Sequence, residues 1–93
     1  MIQKTFEQFT ADALSAGATE ALIREYAANV VIDTHTHPFD ADAIVTQGEM
    51  WLSCGDDSRH LLPGDTFSLS RGTPHSERYG PQGATYWVAR RNP

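Results

Sequence analysis

Residues 20–90 form a series of short segments rich in β-type residues, and this pattern constrains the fold more than any other feature. The predicted strands are 21–27, 30–37, 43–45, 49–53, 59–62, 66–70, 75–79 and 84–90. Turn signals separate them, such as Pro63-Gly64-Asp65 and the run Gly80-Pro81-Gln82-Gly83. Because no second helical segment interrupts the series, it predicts an all-β barrel or sandwich with seven or eight strands.

A helix is predicted before the strands, over residues 5–16. Thr5 and Gln8 are three positions apart, which fits a capping box at the start of the helix. Gly17 provides a C-terminal stop. Four apolar residues recur at helical spacing and predict an amphipathic helix that covers the β core: Phe6, Phe9, Ala13 and Leu14.

Three of the four histidines are placed as if to share one metal ion. His35 and His37 are two positions apart in a predicted strand, so their side chains lie on one face. A third imidazole, from His75 on a neighbouring strand, would complete one side of a coordination sphere. The fourth histidine, His60, precedes an inward Leu61 and is predicted to be a solvated strand residue.

Charge and cysteine content exclude several classes of function. The net charge of −5 and the scattered basic residues argue against a nucleic-acid or anionic-membrane surface. Cys54 is the single cysteine, so no intrachain disulfide can form and a reducing compartment is favoured. No apolar run approaches membrane-spanning length. We therefore predict a soluble, cytoplasmic protein without nucleic-acid or membrane partners.

The histidine pair resembles the first metal-binding motif of the cupin superfamily, G-x5-H-x-H-x3-4-E-x6-G. Asn29 stands at the position of the first glycine, and Asn also accepts the left-handed backbone conformation. His35 and His37 match the histidine pair, and Gly48 matches the closing glycine. The resemblance implies that both histidines are metal ligands.

The second cupin motif, G-x5-P-x-G-x2-H-x3-N, follows in the expected order. Gly64, Gly72 and His75 match it, whereas Ser70 replaces the family's proline and Tyr79 its asparagine. Each motif alone would be weak evidence, but the ordered pair is fairly specific. The resemblance implies that His75 is the third metal ligand.

The resemblance extends over about residues 20–90. It implies a small jelly-roll barrel behind one N-terminal helix, in a single cupin domain over residues 1–93. It also implies a divalent transition metal as cofactor (Zn, Ni, Fe, Cu or Mn), since imidazole ligands suit these ions better than Mg or Ca. The identity of the metal stays open.

The family's glutamate ligand is missing from the first motif. Counting back from Gly48 places Ala41 at its position, while counting on from His37 gives Asp42. Regular alternation points Ala41 inward and leaves Asp40 and Asp42 facing outward. A bend near Pro38 could still bring Asp42 or Asp40 to the metal as a fourth ligand. The alternatives are three histidines with water, or a cupin pocket without metal.

Glu77 and Tyr79 share the strand face of His75 and are the candidate catalytic residues. Glu77 could act as a general base, orient an imidazole or replace the missing carboxylate ligand. Alternatively, it is a rim carboxylate paired with Arg24, Arg78 or Arg90. Four aromatic residues could line a ligand pocket, pack in the core or form a dimer interface: Trp51, Tyr79, Tyr86 and Trp87.

Two functions follow from the resemblance to cupins, which by itself implies no single reaction. The first is a metal-dependent enzyme, dioxygenase- or isomerase-like, that acts on a small metabolite. The second is a non-catalytic module that binds or senses a metabolite, with structural metal or none. Because a small barrel leaves an outer sheet face uncovered, a homodimer is expected, with Ile44, Thr46 and the N-terminal helix as candidate contacts.

Overall fold

The computed structural model describes residues 4–92 of the chain. Within this range the chain forms one helix and six strands, and all strand pairs are antiparallel. Their bounds are α1 Phe6–Ser15, β1 Glu20–Tyr26, β2 Val31–His35, β3 Asp40–Cys54, β4 Asp57–Leu61, β5 Thr66–Leu69 and β6 His75–Arg91.

The N-terminal helix begins at the predicted capping box, which is therefore confirmed. The Thr5 hydroxyl accepts a hydrogen bond from the Gln8 backbone N–H, and the Gln8 side chain accepts one from the Thr5 N–H. Helix α1 packs on the outside of the sheet through Phe6 and Phe9, whose rings lie 5.7 and 5.8 Å from that of Trp87. These aromatic contacts bury apolar surface and hold the helix against β6.

The two longest strands, β3 and β6, run through both halves of the sheet and pair with each other along their length. In one half, β1 flanks residues 84–90 of β6, and β5 flanks residues 41–44 of β3. In the other half, β2 flanks the first residues of β6, and β4 flanks residues 50–54 of β3. Each half is a four-stranded sheet, and the two form the small jelly roll that the sequence predicts.

The predicted number of strands is wrong at two places. Predicted strands 43–45 and 49–53 are parts of β3, and 75–79 and 84–90 are parts of β6. The turn signals between them mark bulges, since Met50 pairs with Tyr79 but Gly48 pairs with Ala84. Four residues of β6 therefore stand opposite one residue of β3, which bends both strands without ending them.

Two glycines make this bend possible. Gly48 and Gly83 have φ angles of +73° and +70°, in the left-handed region that favours glycine. A Cβ on Gly48 would overlap the carbonyl oxygen of Gly83, and a Cβ on Gly83 would overlap that of Tyr26. The backbones of three strands can approach one another at the bend only because neither residue carries a side chain.

The core lies between the two halves and follows the period of two that strands require. Ala41, Ala43 and Val45 of β3 are buried, as the sequence predicts, and the intervening residues face outward. The largest fully buried side chains belong to Val45, Met50, Leu61 and Tyr79. Across residues 4–92, no helix has both the length and the apolar character needed to span a membrane.

Candidate metal centre and adjoining cavity

His35, His37 and His75 come together at one end of the barrel, and we call them the histidine cluster. His35 ends β2 and is the direct cross-strand partner of His75, with ring centroids 4.3 Å apart. His37 follows two residues later, and its carbonyl accepts a hydrogen bond from the Gly72 N–H, which ties it to the turn before β6. One ligand nitrogen from each ring lies within 4.8 Å of the other two.

Two of the imidazoles are oriented by the backbone. Nδ1 of His35 lies 2.8 Å from the carbonyl oxygen of Asp33, and Nδ1 of His75 lies 2.9 Å from that of Thr73. A carbonyl can only accept, so each Nδ1 carries the proton and donates it. Each Nε2 is then left with a free lone pair for the centre of the cluster, an arrangement that metal-ligating histidines commonly show.

The spacing of the nitrogens suits one shared cation. The Nε2 atoms of His35 and His37 are 3.2 Å apart. Two nitrogens bound about 2.1 Å from one ion at tetrahedral or octahedral angles lie roughly 3.0–3.4 Å apart. Without a metal, the same distance allows one hydrogen bond between the rings. His35 and His37 therefore fit a shared transition metal without rearrangement.

Burial and charge favour the neutral, metal-binding form of His37. Desolvation lowers the pKa of His37 below its usual value, and the neighbouring His35 and His75 lower it further. The ring also stacks on Phe39, with centroids 4.8 Å apart, which limits its rotation. His75 is the most enclosed ring of the cluster, with only 2% of its surface exposed.

Glu77 adds a carboxylate to the histidine cluster. Its Oε2 lies 3.6 Å from Nε2 of His35 and 3.7 Å from Nε2 of His75, and the residue is 7% exposed. In the described part of the chain, Glu77 lies against these two histidines and forms no ion pair with Arg24, Arg78 or Arg90. A buried carboxylate at this distance can serve as a fourth ligand or as a base beside the metal.

Tyr79 lies behind Glu77 and holds it. The Tyr79 hydroxyl donates a short hydrogen bond to Oε1 of Glu77, so the two carboxylate oxygens face different partners. Burial raises the pKa of Tyr79, and the neighbouring Tyr86 and Glu77 act in the same direction. The phenol therefore stays protonated as a donor. This position favours a role in orienting Glu77 over direct contact with a ligand.

Asp40 and Asp42, the carboxylates suggested by the first motif, are engaged elsewhere. Asp40 accepts a hydrogen bond from the Arg71 backbone N–H, and Asp42 accepts one from the Ser68 hydroxyl. Neither belongs to the group of residues whose ligand atoms converge with the histidines. Ala41, at the family's glutamate position, lines the cavity beside the cluster. The structure thus brings a carboxylate to the site from β6 and not from β3.

A cavity of about 280 Å³ opens beside the histidine cluster. Glu77 and the cluster form part of its wall, and an apolar part comes from residues of β2, β3, β5 and β6. Its other polar lining residues are Arg24, Tyr26, Tyr86 and Arg90. The cavity can hold a small organic molecule with one end at the cluster.

The other candidate residues lie away from this cavity. Trp51 is on the outer face, where its ring stacks on His60 and lies beneath the guanidinium of Arg78. The imidazole of His60 is 2.7 Å from a carboxylate oxygen of Glu49. Trp87 packs under the helix. Of the four aromatic residues named from the sequence, Tyr86 is the one that lines the cavity.

Arg24 and Arg90 are site residues that the sequence reasoning missed as cavity-lining groups. The sequence suggests both only as partners for Glu77. The position of Arg90 could have been predicted from the sequence, because alternation along β6 puts it on the same face as the inward Tyr86 and Val88. A charged residue on an apolar strand face is a candidate functional residue.

Solved structures share this architecture. A protein of unknown function from Rhizobium leguminosarum bv. viciae 3841 has a TM-score of 0.76 and 20% identity, covering 100% of this chain and 98% of that chain. An RmlC-like cupin from Shewanella frigidimarina NCIMB 400 has a TM-score of 0.70 and 18% identity, covering 80% and 66%. These likenesses show the fold alone.

The DMSP lyase DddQ from Ruegeria pomeroyi DSS-3 is also similar, with a TM-score of 0.74 and 25% identity. The match covers 82% of this chain but only 39% of the lyase. No curated protein matches the chain.

The family comparison agrees with the fold. The model of the AraC-like ligand binding domain matches residues 17–91, which is most of the chain and includes every strand. The same range contains the histidine cluster, Glu77 and both cavity arginines. The chain therefore belongs to the AraC-like ligand binding domain family, and it shares its fold with the cupins among its structural neighbours.

Proposed function

We propose that the histidine cluster and Glu77 bind one divalent transition metal, and that a small metabolite is bound and transformed in the adjoining cavity. The observation that carries this proposal is the convergence of three imidazoles whose ligand nitrogens lie within 4.8 Å of one another. Backbone carbonyls orient two of these rings, so that their free lone pairs face the cluster. Core histidines kept for packing alone would not need this arrangement.

The chemistry of the donor set narrows the choice of metal ion. Three imidazoles with one carboxylate suit Zn, Ni, Fe, Cu or Mn and give little advantage to Mg or Ca. When bound, such an ion acts as a Lewis acid and lowers the pKa of a bound water. Beside it, Glu77 can hold a proton or a ligand at Oε2, while Tyr79 keeps the other oxygen occupied.

Metal content tests the proposal directly. We expect protein treated with a chelator and reloaded with Zn, Ni, Mn or Fe(II) to hold about one ion per chain by elemental analysis. The same loading should raise its melting temperature, because metal that binds only the folded state stabilises it.

Matched histidine variants make this test specific. His35→Ala and His75→Ala should lose the ion, whereas His60→Ala should keep it, because His60 pairs with Glu49 on the outer face. Full metal stoichiometry in His35→Ala would refute the ligand assignment. A melting temperature unchanged by every metal would refute the metal centre as a whole.

Turnover is tested by reaction class. Oxygen uptake with catechols, diketones and thiols detects dioxygenase-like chemistry, and conversion of sugars or hydroxy acids detects isomerase-like chemistry. Because of the likeness to the DMSP lyase DddQ, DMSP is included among the compounds to be tested. We expect activity in one class to depend on the loaded metal and to disappear in His75→Ala.

A second candidate is a metabolite-binding module without turnover. The observation in its favour is that the matching family is a ligand binding domain and that the match covers residues 17–91. Such a module would bind a metabolite in the same cavity and act through a partner chain or domain. Saturable binding of a compound that remains chemically unchanged over long incubation would favour this candidate over the enzyme.

A further inference from the structure

Two arginines line the cavity that contains the histidine cluster. Arg24 comes from β1 and Arg90 from β6. Arg90 follows Tyr86 and Val88 on the inward face of β6, whereas Trp87, Ala89 and Arg91 line a groove on the outer face beside α1. A guanidinium placed among apolar side chains is costly unless a partner compensates its charge.

Arg90 has one buried donor without a partner in the described part of the chain. Its Nε is buried and has no hydrogen-bond acceptor among residues 4–92. The Cζ atom of its guanidinium lies 4.4 Å from the centroid of the Phe39 ring, a cation–π contact that provides no oxygen acceptor for its N–H groups. No protein group therefore compensates the charge of Arg90 at its Nε.

Arg24 provides the second positive group. Its Nη2 donates a hydrogen bond to the Tyr26 hydroxyl over 3.3 Å, and the side chain is otherwise exposed at the edge of the cavity. Within the described range, neither Arg24 nor Arg90 forms an ion pair with a carboxylate. Both guanidiniums are therefore available to an anion.

The local charge of the cavity is opposite to that of the chain. The chain has a net charge of −5, yet the cavity is lined by two arginines and a single carboxylate, that of Glu77. One oxygen of that carboxylate accepts a hydrogen bond from Tyr79, and the other faces the histidine cluster. A divalent cation at the cluster would make the cavity more positive. An anionic ligand is the one that this arrangement favours.

We propose that the cavity binds a small organic carboxylate, with Arg90 and Arg24 on its carboxylate group and the rest of the ligand directed toward the histidine cluster. A planar guanidinium presents two parallel N–H groups, which match the two oxygens of a carboxylate. The cavity volume of 280 Å³ equals that of about nine water molecules, so the ligand has on the order of ten non-hydrogen atoms. The inference rests on the proposed function only at the metal end of the ligand.

Calorimetric titration with small acids and their neutral amides tests the inference. The probes are formate, propionate, lactate and succinate, together with propionamide and lactamide, each up to about 10 mM. Metal-free and zinc-loaded protein are both titrated. We expect at least one of the acids to bind and the neutral amides to bind at least about tenfold more weakly. Equal affinity for an acid and its amide, or saturable binding of none of the acids, would overturn the inference.

Arginine variants test whether Arg90 and Arg24 bind the carboxylate group of the ligand. Arg90→Met and Arg24→Met should each weaken acid binding about tenfold or more. Arg90→Lys should restore part of the loss, because it keeps the charge without the planar fork. Arg78→Met is the matched control, since Arg78 lies over Trp51 on the outer face. Unchanged acid binding in both Arg90→Met and Arg24→Met would contradict the assignment.

The outcomes separate this inference from the metal centre. Arg90→Met should retain the zinc content of the wild type, because Arg90 contributes no ligand atom to the cluster. Acid binding that depends on Arg90 in a protein that takes up no metal would leave the carboxylate site standing and remove the metal centre. Normal zinc uptake without acid binding would support the metal centre and refute the carboxylate site. If Arg90→Met unfolds, Arg90→Lys and Arg24→Met still decide the question.

Discussion

Tyr79 donates a hydrogen bond to one oxygen of Glu77, and the other oxygen of Glu77 faces the histidine cluster. Both residues are almost fully buried, at 1% and 7% exposure. A buried carboxylate with a single donor behind it has few alternative orientations. The phenol therefore limits the positions that Glu77 can adopt relative to His35 and His75.

The variant Tyr79→Phe tests this relationship. Removal of the hydroxyl should leave the ring stacked on Tyr26, because that contact involves only the aromatic rings, whose centroids are 4.3 Å apart. Glu77 would lose its support, and we expect zinc affinity to fall about tenfold or more, as is usual for groups that orient metal ligands. Competition with a fluorescent chelator measures the affinity. Tyr86→Phe is the control, and an equal loss in both variants would argue against a specific role for Tyr79.

The source of the carboxylate at the metal is a second prediction. Glu77→Gln should lower metal affinity about 10–100-fold, whereas Asp42→Asn should leave it unchanged, because Asp42 accepts a hydrogen bond from Ser68. Asp40→Asn should also be neutral, since the amide oxygen can still accept from the Arg71 N–H. Metal affinities of the three purified variants decide between them. A large loss of metal affinity in Asp42→Asn would show that the carboxylate ligand comes from β3 and not from β6.

The bend in the long strands gives a prediction about stability. Gly83→Ala should lower the free energy of unfolding by about 2–4 kcal/mol, because the new Cβ would overlap the Tyr26 carbonyl at a positive φ angle. Gly55→Ala is the matched control, with a similar φ of +60° but no atom within 4 Å of its Cβ. It should cost only about 1 kcal/mol. Urea denaturation measures both, and equal losses would show that crowding at the bend is unimportant.

The homodimer remains a prediction, and the exposed apolar residues suggest how to test it. Leu14 of α1 is 48% exposed, and Ile23 of β1 is 47% exposed beside Trp87 on the outer face that α1 covers. Light scattering on a sizing column should give a dimer for the wild type and a monomer for Leu14→Lys or Ile23→Lys. Leu62→Lys, at a site of 46% exposure outside this face, should remain dimeric. A monomeric wild type would end the prediction.

Several features were predictable because local chemistry determines them. Thr5 and Gln8 specify the start of the helix through bonds between residues three apart. Ala41 faces inward because side chains alternate along a strand that is half buried. The ordered pair of cupin motifs located all three histidines of the cluster, although it did not determine their distances.

Other features depend on contacts between distant segments, which local patterns do not report. The run 80–83 has the residue types of a turn, but the same types also allow a bulge in a continuous strand. Alternation placed Glu77 on the correct face of its strand without showing whether histidines or arginines would meet it there. That outcome depends on the pairing of β2 with β6, in which His35 stands opposite His75.

The bend at Gly80–Gly83 has a consequence for the dimensions of the cavity. His75 and Glu77 precede it on β6, and Arg90 follows it on the same strand. One continuous strand therefore links the histidine cluster to Arg90. We expect related chains with one residue more or fewer in this bulge to place Arg90 at a different distance from the cluster, even if the residues that line the cavity were the same.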